Sequence, residues 1–311
     1  MLQYLIALNY KFHYFYLVIS DFMQMQVFYR QIASMGTRLE IVIPGLEDSL
    51  GFILLRDIEN ELSMINRQVS NYDPHSDISK FNSLAPGETM EISGYFSEFI
   101  HSGLHLNTLT CGYYDFSLGA WTSKPDLIPD NGSRLAAFLN LPLEQRIQVK
   151  GKSAGPLVED LKLDSGGIGK GIAISAIEKL LHQSNIQAAF ISFGGSSVLG
   201  LGKHPYGDTW KVGISDPEDG RRVISELELM NMSLSVSGNS MNNRKKYGTG
   251  GHILNPVNGS FYQGRGLVAV VTKSAVEAEA ISTALLLCRQ DEEKQLISNF
   301  VDVQFYRYEN N

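Results

Sequence analysis

The pattern of apolar and polar residues along this chain predicts a mixture of amphipathic helices and partly buried strands. Ile58, Leu62, Ile65 and Val69 recur at spacings of three and four, so they share one face of a helix predicted over residues 48–69. Short alternating or continuous apolar runs bounded by turn residues predict strands instead. The other predicted helices lie around residues 96–104, 173–181 and 275–288, and the predicted strands cover residues 38–43, 188–193, 210–215, 222–227 and 266–272.

The order of these elements separates two fold classes. Helices and strands follow one another without the regular strand–helix–strand alternation of a doubly wound parallel sheet, which favours an α+β fold. A chain of 311 residues suits one large domain or two intimate lobes. We therefore expect a single domain over residues 31–311, preceded by an N-terminal extension over residues 1–30.

Composition narrows the classes of function. A formal net charge of -7, with no long run of Lys or Arg, argues against a nucleic-acid partner. The 2 cysteines give neither a disulfide framework nor metal-ligand spacing. Residues 1–28 are rich in apolar side chains, but polar residues interrupt every window long enough for a membrane helix. Because neither a signal peptide nor a lipid-accepting cysteine is recognisable, we expect a cytoplasmic form.

The glycine-rich segment at residues 161–177 carries the strongest functional signal. Asp164 follows two strand-like leucines, Gly166 and three further glycines form a turn that includes Lys170, and a helical pattern begins directly afterwards. Such a turn lets backbone N–H groups approach an anion at a helix N-terminus, and Lys170 adds positive charge. The residues match neither a P-loop nor the dinucleotide-binding fingerprint. They predict either a site for a phosphate-bearing ligand or a tight connection that binds nothing.

The last long helix carries a candidate cation site. Ser274 and Glu277 form the capping box that begins it, and Glu279 and Thr283 lie one turn apart on one face. We place Thr283 in the buried stripe of this helix and Glu279 at its flank. Their oxygens suit a hard cation such as Mg²⁺. Taken alone, however, the pair favours a solvated glutamate and a threonine that bonds to its own helix.

Two loop segments supply further candidates. His252 lies at the edge of a glycine-rich loop, where a histidine serves either as a general base near neutral pH or as a structural residue. Tyr113, Tyr114 and Asp115 follow a glycine in another loop. Two tyrosines beside a glycine either flank a flat ring or pack in the core.

Taken in this order, the motifs resemble the ApbE family, the FAD:protein FMN transferases. Nine short segments in the family's order are hard to produce by chance. The resemblance implies a compact α+β fold of mainly antiparallel sheets with packed helices, with FAD in a cleft between two lobes. The segments lie at residues 35–37, 70–82, 112–119, 163–171, 194–195, 210–217, 235–238, 252–256 and 278–285.

The resemblance also implies a role for particular residues. One group binds FAD, a second holds Mg²⁺, and a single residue is the catalytic base. The FAD group consists of Met35 and Tyr72 at the adenine end, Tyr113, Tyr114 and Asp115 along the flavin nucleotide, Gly166 and Lys170 along the glycine-rich turn, and Ile253 near the isoalloxazine. The metal group consists of the Gly169 carbonyl, Glu279 and Thr283, and the base is His252.

Three positions depart from the family pattern. Glu279 and Asn255 stand where the family usually has aspartate, and Ser117 stands where it has threonine. The extra methylene of Glu279 moves the carboxylate, and Mg²⁺ tolerates poor octahedral geometry badly. Asn255 supplies no negative charge to support His252. The resemblance therefore bears more firmly on the fold and the flavin site than on catalytic competence.

The function implied by the resemblance is Mg²⁺-dependent transfer of FMN from FAD to a threonine or serine hydroxyl of an acceptor protein, with release of AMP. The implied acceptor is a flavin-carrying subunit of a membrane redox pump or a soluble reductase. Many relatives are lipoproteins outside the cytoplasmic membrane, so a periplasmic or membrane-attached form is the alternative to a cytoplasmic one. Three other functions remain open: an Mg²⁺-dependent FAD pyrophosphatase that uses water at the same site, an FAD-binding protein weakened by Glu279 and Asn255, and an unrelated phosphate-ligand enzyme.

Overall fold

The computed structural model describes residues 15–17, 25–122, 132–239 and 253–309. None of the helices within these ranges is both long and apolar enough to span a bilayer. A short 3-10 turn (Ser165–Gly167) precedes the helix that begins at Gly169. The strands are β1 (Phe15–Leu17), β2 (Val27–Ser34), β3 (Thr37–Pro44), β4 (Met90–Glu91), β5 (Ile147–Lys150), β6 (Ser153–Pro156), β7 (Ala189–Phe193), β8 (Ser197–Leu201), β9 (Trp210–Ser215), β10 (Val223–Leu229), β11 (Met232–Gly238), β12 (Leu267–Thr272) and β13 (Gln304–Tyr308). The helices are α1 (Asp48–Val69), α2 (Asp77–Ser83), α3 (Gly94–Leu109), α4 (Gly119–Thr122), α5 (Gly132–Leu139), α6 (Leu143–Arg146), α7 (Gly169–Gln183), α8 (Ala275–Leu287) and α9 (Glu293–Ile297).

A seven-stranded sheet forms the centre of the molecule, in the order β13-β12-β11-β8-β7-β3-β2. Every neighbouring pair in it is antiparallel. Two smaller antiparallel sheets, β1-β9-β10 and β4-β6-β5, accompany it. The prediction of an α+β fold with mainly antiparallel sheets is confirmed. The expected domain start at residue 31 falls inside β2, which pairs with β3 from Val27 onward.

The central sheet separates two hydrophobic cores. Successive side chains of a strand point to opposite faces, so Leu234 and Val236 of β11 pack with Trp210 in a smaller core against the β1-β9-β10 sheet. The alternate residues of β11 face the helices, where the hydroxyl of Ser235 lies 3.1 Å from that of Ser282 in α8. The larger core fills this second face together with the apolar sides of the helices.

Helix α1 spans the residues predicted for it. It is amphipathic, and one face packs into the larger core against α3 and α7. Fully burying one Leu or Ile side chain stabilises a fold by about 1.5–3 kcal/mol, so this face fixes the helix firmly. The loop that follows α1 is thereby held beside the start of α7. The buried residues of α1 are Gly51, Leu54, Ile58, Leu62, Ile65 and Val69.

Helix α8 begins as predicted but is not amphipathic. The Ser274 hydroxyl accepts a hydrogen bond from the N–H of Glu277 at the helix start. The helix lies between α7 and strands β11 and β12, and nearly all of its side chains are buried. A helix packed on both sides is apolar all round. The prediction that Glu279 lies at the solvated flank of a buried stripe is therefore wrong, because Glu279 is itself buried.

Candidate functional site

The glycine turn, which we define as residues 164–171, is fixed by side chains from distant parts of the chain. Asp164 caps the 3-10 turn by accepting a hydrogen bond from the N–H of Gly166 at 2.8 Å. Its other oxygen accepts one from the Thr122 hydroxyl at 2.9 Å. The Asn71 amide donates to Asp164 at 2.5 Å and accepts from the N–H of Ser165 at 3.0 Å. The turn therefore keeps its shape without a ligand.

Two glycines of the turn are required by packing. A methyl group on Gly171 would lie 2.7 Å from the carbonyl oxygen of Ala275, so only glycine lets α7 approach α8 this closely. A methyl group on Gly167 would lie 2.6 Å from the ring of Tyr114. The close approach of α7 to α8 brings the glycine turn to the candidate metal residue Glu279.

The Glu279 carboxylate contacts the glycine turn directly. It is 4% exposed and accepts a hydrogen bond from the N–H of Gly171 at 2.7 Å. Its other oxygen accepts one from the Ser197 hydroxyl at 2.5 Å and lies 2.5 Å from the ammonium of Lys170. The solvated glutamate favoured by residue type alone is contradicted by these contacts.

A cluster of hydroxyl groups extends along α8 from Glu279. Ser237 of β11 lies 3.1 Å from Thr283 and 2.8 Å from Ser282, oxygen to oxygen, and Ser235 continues the row. We call Ser235, Ser237, Ser282 and Thr283 the hydroxyl cluster. Thr283 thus lies one helical turn from Glu279 and contacts a neighbouring strand.

These residues fit a magnesium ion. Among the described residues, no group of three or more His, Cys, Asp and Glu side chains is placed to hold a metal. One buried carboxylate beside neutral hydroxyl and carbonyl oxygens nevertheless matches Mg²⁺, which proteins hold with one or two carboxylates together with ligand phosphates. The three residues expected to hold the ion are close in the fold, since Gly169 directly precedes Lys170 and Gly171, which both contact Glu279.

Met35 and Tyr72 lie beside the glycine turn. The methyl group of Met35 lies 3.1 Å from the point where a Cβ of Gly169 would stand. Tyr72, in the loop after α1, is 84% exposed, and its ring lies 3.8 Å from the corresponding point of Gly36. The β2–β3 turn and the α1–α2 loop therefore present an apolar side chain and an exposed aromatic ring on one side of the turn.

The two tyrosines of the 112–119 loop differ in their hydrogen bonding. The Tyr113 hydroxyl donates to Glu292 at 2.6 Å, whereas the hydroxyl of the buried Tyr114 has no partner among the described residues. Burial raises the pKa of Tyr114 well above its usual value, and the nearby negative charges of Asp164, Glu279 and Asp115 raise it further. Tyr114 therefore carries an unused hydrogen-bond donor behind the glycine turn.

The side chain of Asp115 is bound to other side chains of the protein. Its buried side chain lies 2.8 Å from the Arg146 guanidinium and accepts a hydrogen bond from the Ser117 hydroxyl at 2.6 Å. Arg146 also donates to Ser117 at 3.0 Å and lies over the ring of Phe138. The side chain of Asp115 thus anchors the tyrosine loop, and a ligand beside this loop meets it chiefly through neighbouring groups.

The segment after His252 is tied to the end of α8. Asn255 is buried, and its amide donates to the Leu287 carbonyl at 3.2 Å and accepts from the N–H of Val257 at 2.9 Å. The half-buried side chain of Ile253 packs at the edge of the larger core. His252 lies outside the described residues, so its expected role stays a prediction.

Sequence reasoning assigned no role to three residues that shape this site. Asp164 precedes a glycine turn, which is a helix-capping position, so its capping role was readable from the sequence. Asn71 belongs to one of the nine segments, but no local pattern connects it to residue 164. Ser197 carries no sequence signal, because only the tertiary structure brings it to Glu279.

Comparison with known proteins gives consistent matches. A model of the ApbE family matches residues 35–306. The chain is 26% identical over 272 residues to an FAD:protein FMN transferase of Vibrio cholerae, covering 83% of this chain and 80% of that protein. It is 23% identical over 278 residues to an FAD:protein FMN transferase of Escherichia coli K12, covering 85% and 79%.

Solved structures agree with the fold. The flavin transferase ApbE from Vibrio cholerae superposes with a TM-score of 0.77 at 22% identity, covering 92% of this chain and 97% of that one. The apo form of the Pseudomonas stutzeri flavinyl transferase ApbE gives a TM-score of 0.74 at 24% identity, covering 89% of each chain. At these identities the superpositions establish a shared fold.

Proposed function

The chain belongs to the ApbE family, and from this premise we propose that it transfers the FMN part of FAD to an acceptor protein. The observation that carries the proposal is the Glu279 carboxylate bonded to both Lys170 and the N–H of Gly171. It brings a cation-binding carboxylate to the glycine turn and the N-terminus of α7. A diphosphate bound together with a divalent ion needs this combination of groups. We infer that the ligand is FAD from the relatives, which are named FAD:protein FMN transferases.

The FAD would lie across the glycine turn. The N-terminus of α7, Gly166 and Lys170 would face the diphosphate, where the helix dipole and the ammonium favour negative charge. Met35 and the exposed ring of Tyr72 would contact the adenine. Tyr113, Tyr114, Asp115 and Ile253 would surround the flavin nucleotide, with Asp115 acting through the shape of its loop.

The Gly169 carbonyl, Glu279 and Thr283 would hold a magnesium ion. When bound, this ion supplies a positive charge that withdraws electrons from the diphosphate and orients it. Glu279 is fixed by Ser197 and Gly171, so its carboxylate is positioned before a ligand arrives. These two hydrogen bonds fix the longer side chain of glutamate in this chain, which favours retained activity.

The transfer itself would begin with His252, which accepts the proton of a threonine or serine hydroxyl on the acceptor. The hydroxyl oxygen forms a bond to the FMN-side phosphorus, while the bond from that phosphorus to the bridging oxygen breaks. AMP leaves with the bridging oxygen, and the acceptor carries FMN as a phosphoester. Lys170 and the N–H groups of the turn stabilise the negative charge that develops on the phosphate oxygens.

The experiment that tests this function is mass spectrometry of an acceptor protein incubated with the chain, FAD and Mg²⁺. We expect the mass of FMN on one threonine or serine of a flavin-carrying redox-pump subunit or reductase. A matched acceptor with that residue replaced by alanine should remain unmodified. Release of free FMN and AMP without any acceptor would instead identify a pyrophosphatase, and FAD binding without any turnover would identify a binding protein.

Replacing the proposed base gives the first prediction. His252→Ala should lower the transfer rate by about 10²–10⁴, the usual contribution of a general base, while FAD binding is kept. Transfer rates on a single acceptor and FAD affinity by flavin fluorescence separate the two effects. Transfer at the wild-type rate would mean that another group takes the proton.

A further inference from the structure

Lys170 pairs with Glu279 at the point where the proposed function needs a divalent cation. The ammonium nitrogen lies 2.5 Å from a carboxylate oxygen that is itself buried. A buried carboxylate without a positive partner is strongly destabilising. Lys170 therefore supplies, in the protein alone, the positive charge that a metal ion would supply in a complex.

Among the described residues that contact the Glu279 carboxylate, Lys170 is the one whose side chain can move away. Gly171 donates through its backbone at the start of α7, and Ser197 is a buried residue of β8. The Lys170 side chain keeps 22% of its surface exposed, and its methylene groups pass Gly194 on the way to Glu279. Rotation about the bonds of this flexible chain would move the ammonium while the carboxylate stays in place.

We propose that the Lys170 ammonium occupies the cation position at Glu279 in the ligand-free protein and moves to the FAD diphosphate when a divalent ion binds. This inference rests on the proposed FAD site. Two cations at one carboxylate repel each other, so the ion alone binds weakly. FAD gives the released ammonium a new anionic partner, and the two ligands are therefore positively coupled.

Manganese binding in the absence of FAD gives the sharpest test. Free Mn²⁺ is measured by electron paramagnetic resonance during titration of the intact protein. Lys170→Met should tighten Mn²⁺ binding at least about tenfold, because it removes a competing charge within a few ångströms. Lys170→Arg keeps the charge and should leave the affinity within about twofold of wild type, since the competition depends on charge alone.

The matched control is Lys179→Met. Lys179 is an exposed residue of the same helix, about 13 Å farther along its axis, and its replacement removes the same charge. Screening at physiological salt acts over about 8 Å, so this variant should bind Mn²⁺ like wild type. Equal Mn²⁺ affinities for wild type and Lys170→Met would overturn the proposal, as would equal tightening in Lys179→Met.

A second measurement uses the wild-type protein, so Glu279 keeps its lysine partner. Acetylation of Lys170 in the wild-type protein, followed by peptide mass spectrometry, should be slow without ligands and faster with saturating Mn²⁺. Addition of FAD to the Mn²⁺ complex should slow it again. An acetylation rate that is unaffected by Mn²⁺ would overturn the proposal.

The two proposals fail separately. If Lys170→Met binds Mn²⁺ more tightly but the wild-type chain transfers no FMN to any acceptor, the proposed function is rejected and the displacement of Lys170 by the divalent ion is kept. If the wild-type chain transfers FMN but Lys170→Met binds Mn²⁺ as wild type does, the displacement is rejected and the proposed function is kept.

Discussion

At the scale of single residues, Asn255 explains one departure from the family pattern. Its amide donates to the Leu287 carbonyl at the end of α8 and accepts from the N–H of Val257. A carboxylate could accept the second bond but could not donate the first. We infer that asparagine is required here by the local hydrogen bonding.

The stability of an Asn255→Asp variant tests this reading. The new carboxylate would face the Leu287 carbonyl and the negative end of the α8 dipole, so we expect a loss of about 1–3 kcal/mol in the free energy of unfolding. Urea denaturation measures it. Asn258→Asp is the control, because the hydrogen bonds of exposed Asn258 with described residues are ones that it accepts from Ser260, and an aspartate can accept them too. Equal effects in the two variants would contradict the reading.

Replacing Tyr114 by phenylalanine is expected to have opposite effects on the stability of the fold and on FAD binding. Its buried hydroxyl has no partner in the described chain, so Tyr114→Phe should leave the free energy of unfolding unchanged or raise it. If the hydroxyl donates to bound FAD, the same variant should weaken FAD binding by about 1.5–3 kcal/mol. Thermal unfolding and flavin fluorescence measure the two quantities.

Tyr113→Phe provides the comparison for stability. The hydroxyl of Tyr113 donates to Glu292, so its loss should lower the free energy of unfolding by about 0.5–1.5 kcal/mol. A Tyr114→Phe variant that is destabilised by as much, with unchanged FAD affinity, would show that its hydroxyl has a structural partner.

At the scale of elements, the approach of α7 to α8 forms the site. Gly171 permits that approach, and its N–H reaches Glu279 only because the two helix starts are in contact. Strand β8 has a similar requirement, since a methyl group on Gly200 would lie 2.7 Å from the side chain of Leu229. Glycine inside a strand weakens the sequence signal for that strand. Strand β8 was not among the strands predicted from the sequence.

Gly171→Ala should therefore act on packing and binding together. The added methyl group would lie 2.7 Å from the Ala275 carbonyl, so α7 must shift away from α8. We expect a loss of about 1–3 kcal/mol in the free energy of unfolding, as for other overpacked sites, together with weaker FAD binding. Gly207→Ala is the control, because Gly207 is exposed and a methyl group there would lie 4.0 Å from its nearest neighbour, the Thr209 carbonyl oxygen. An unaffected Gly171→Ala variant would mean that α7 and α8 are less tightly packed than described.

At the scale of the whole molecule, the site joins segments from most of the chain. Asn71 bonds to a residue 93 positions later, and Gly171 to one 108 positions later. Strands β8 and β11 of the central sheet contribute Ser197 and Ser237 from the face that carries the larger core. Binding at this site should therefore stabilise the entire fold.

Thermal unfolding with FAD and Mg²⁺ tests that coupling. At a ligand concentration about 100 times the dissociation constant, binding adds about 2.7 kcal/mol, which is expected to raise Tm by several degrees. EDTA should remove most of the shift and abolish FMN transfer, and Glu279→Ala should behave as wild type does in EDTA. Unchanged FAD affinity in metal-free buffer would refute the role of the metal.

The sequence by itself determined the α+β class, helix α1, the strands with clear alternation and the family. Each of these depends on local periodicity, turn chemistry or short motifs, which neighbouring residues encode together. The sequence of β11 also alternates between serine and apolar residues, at Ser233, Leu234, Ser235 and Val236. Residues 235–238 were recognised as a motif, but this strand was not predicted from the sequence.

Only the tertiary structure decided how the candidate residues are used. The burial of Glu279, the pairing of Asp115 with Arg146 and the bonds of Asn255 depend on partners that are distant in the chain. The charge of a side chain is fixed by its chemistry, but its solvation and its partners are fixed by packing. For this reason a glutamate that residue type assigns to solvent lies buried against a lysine and a helix N-terminus.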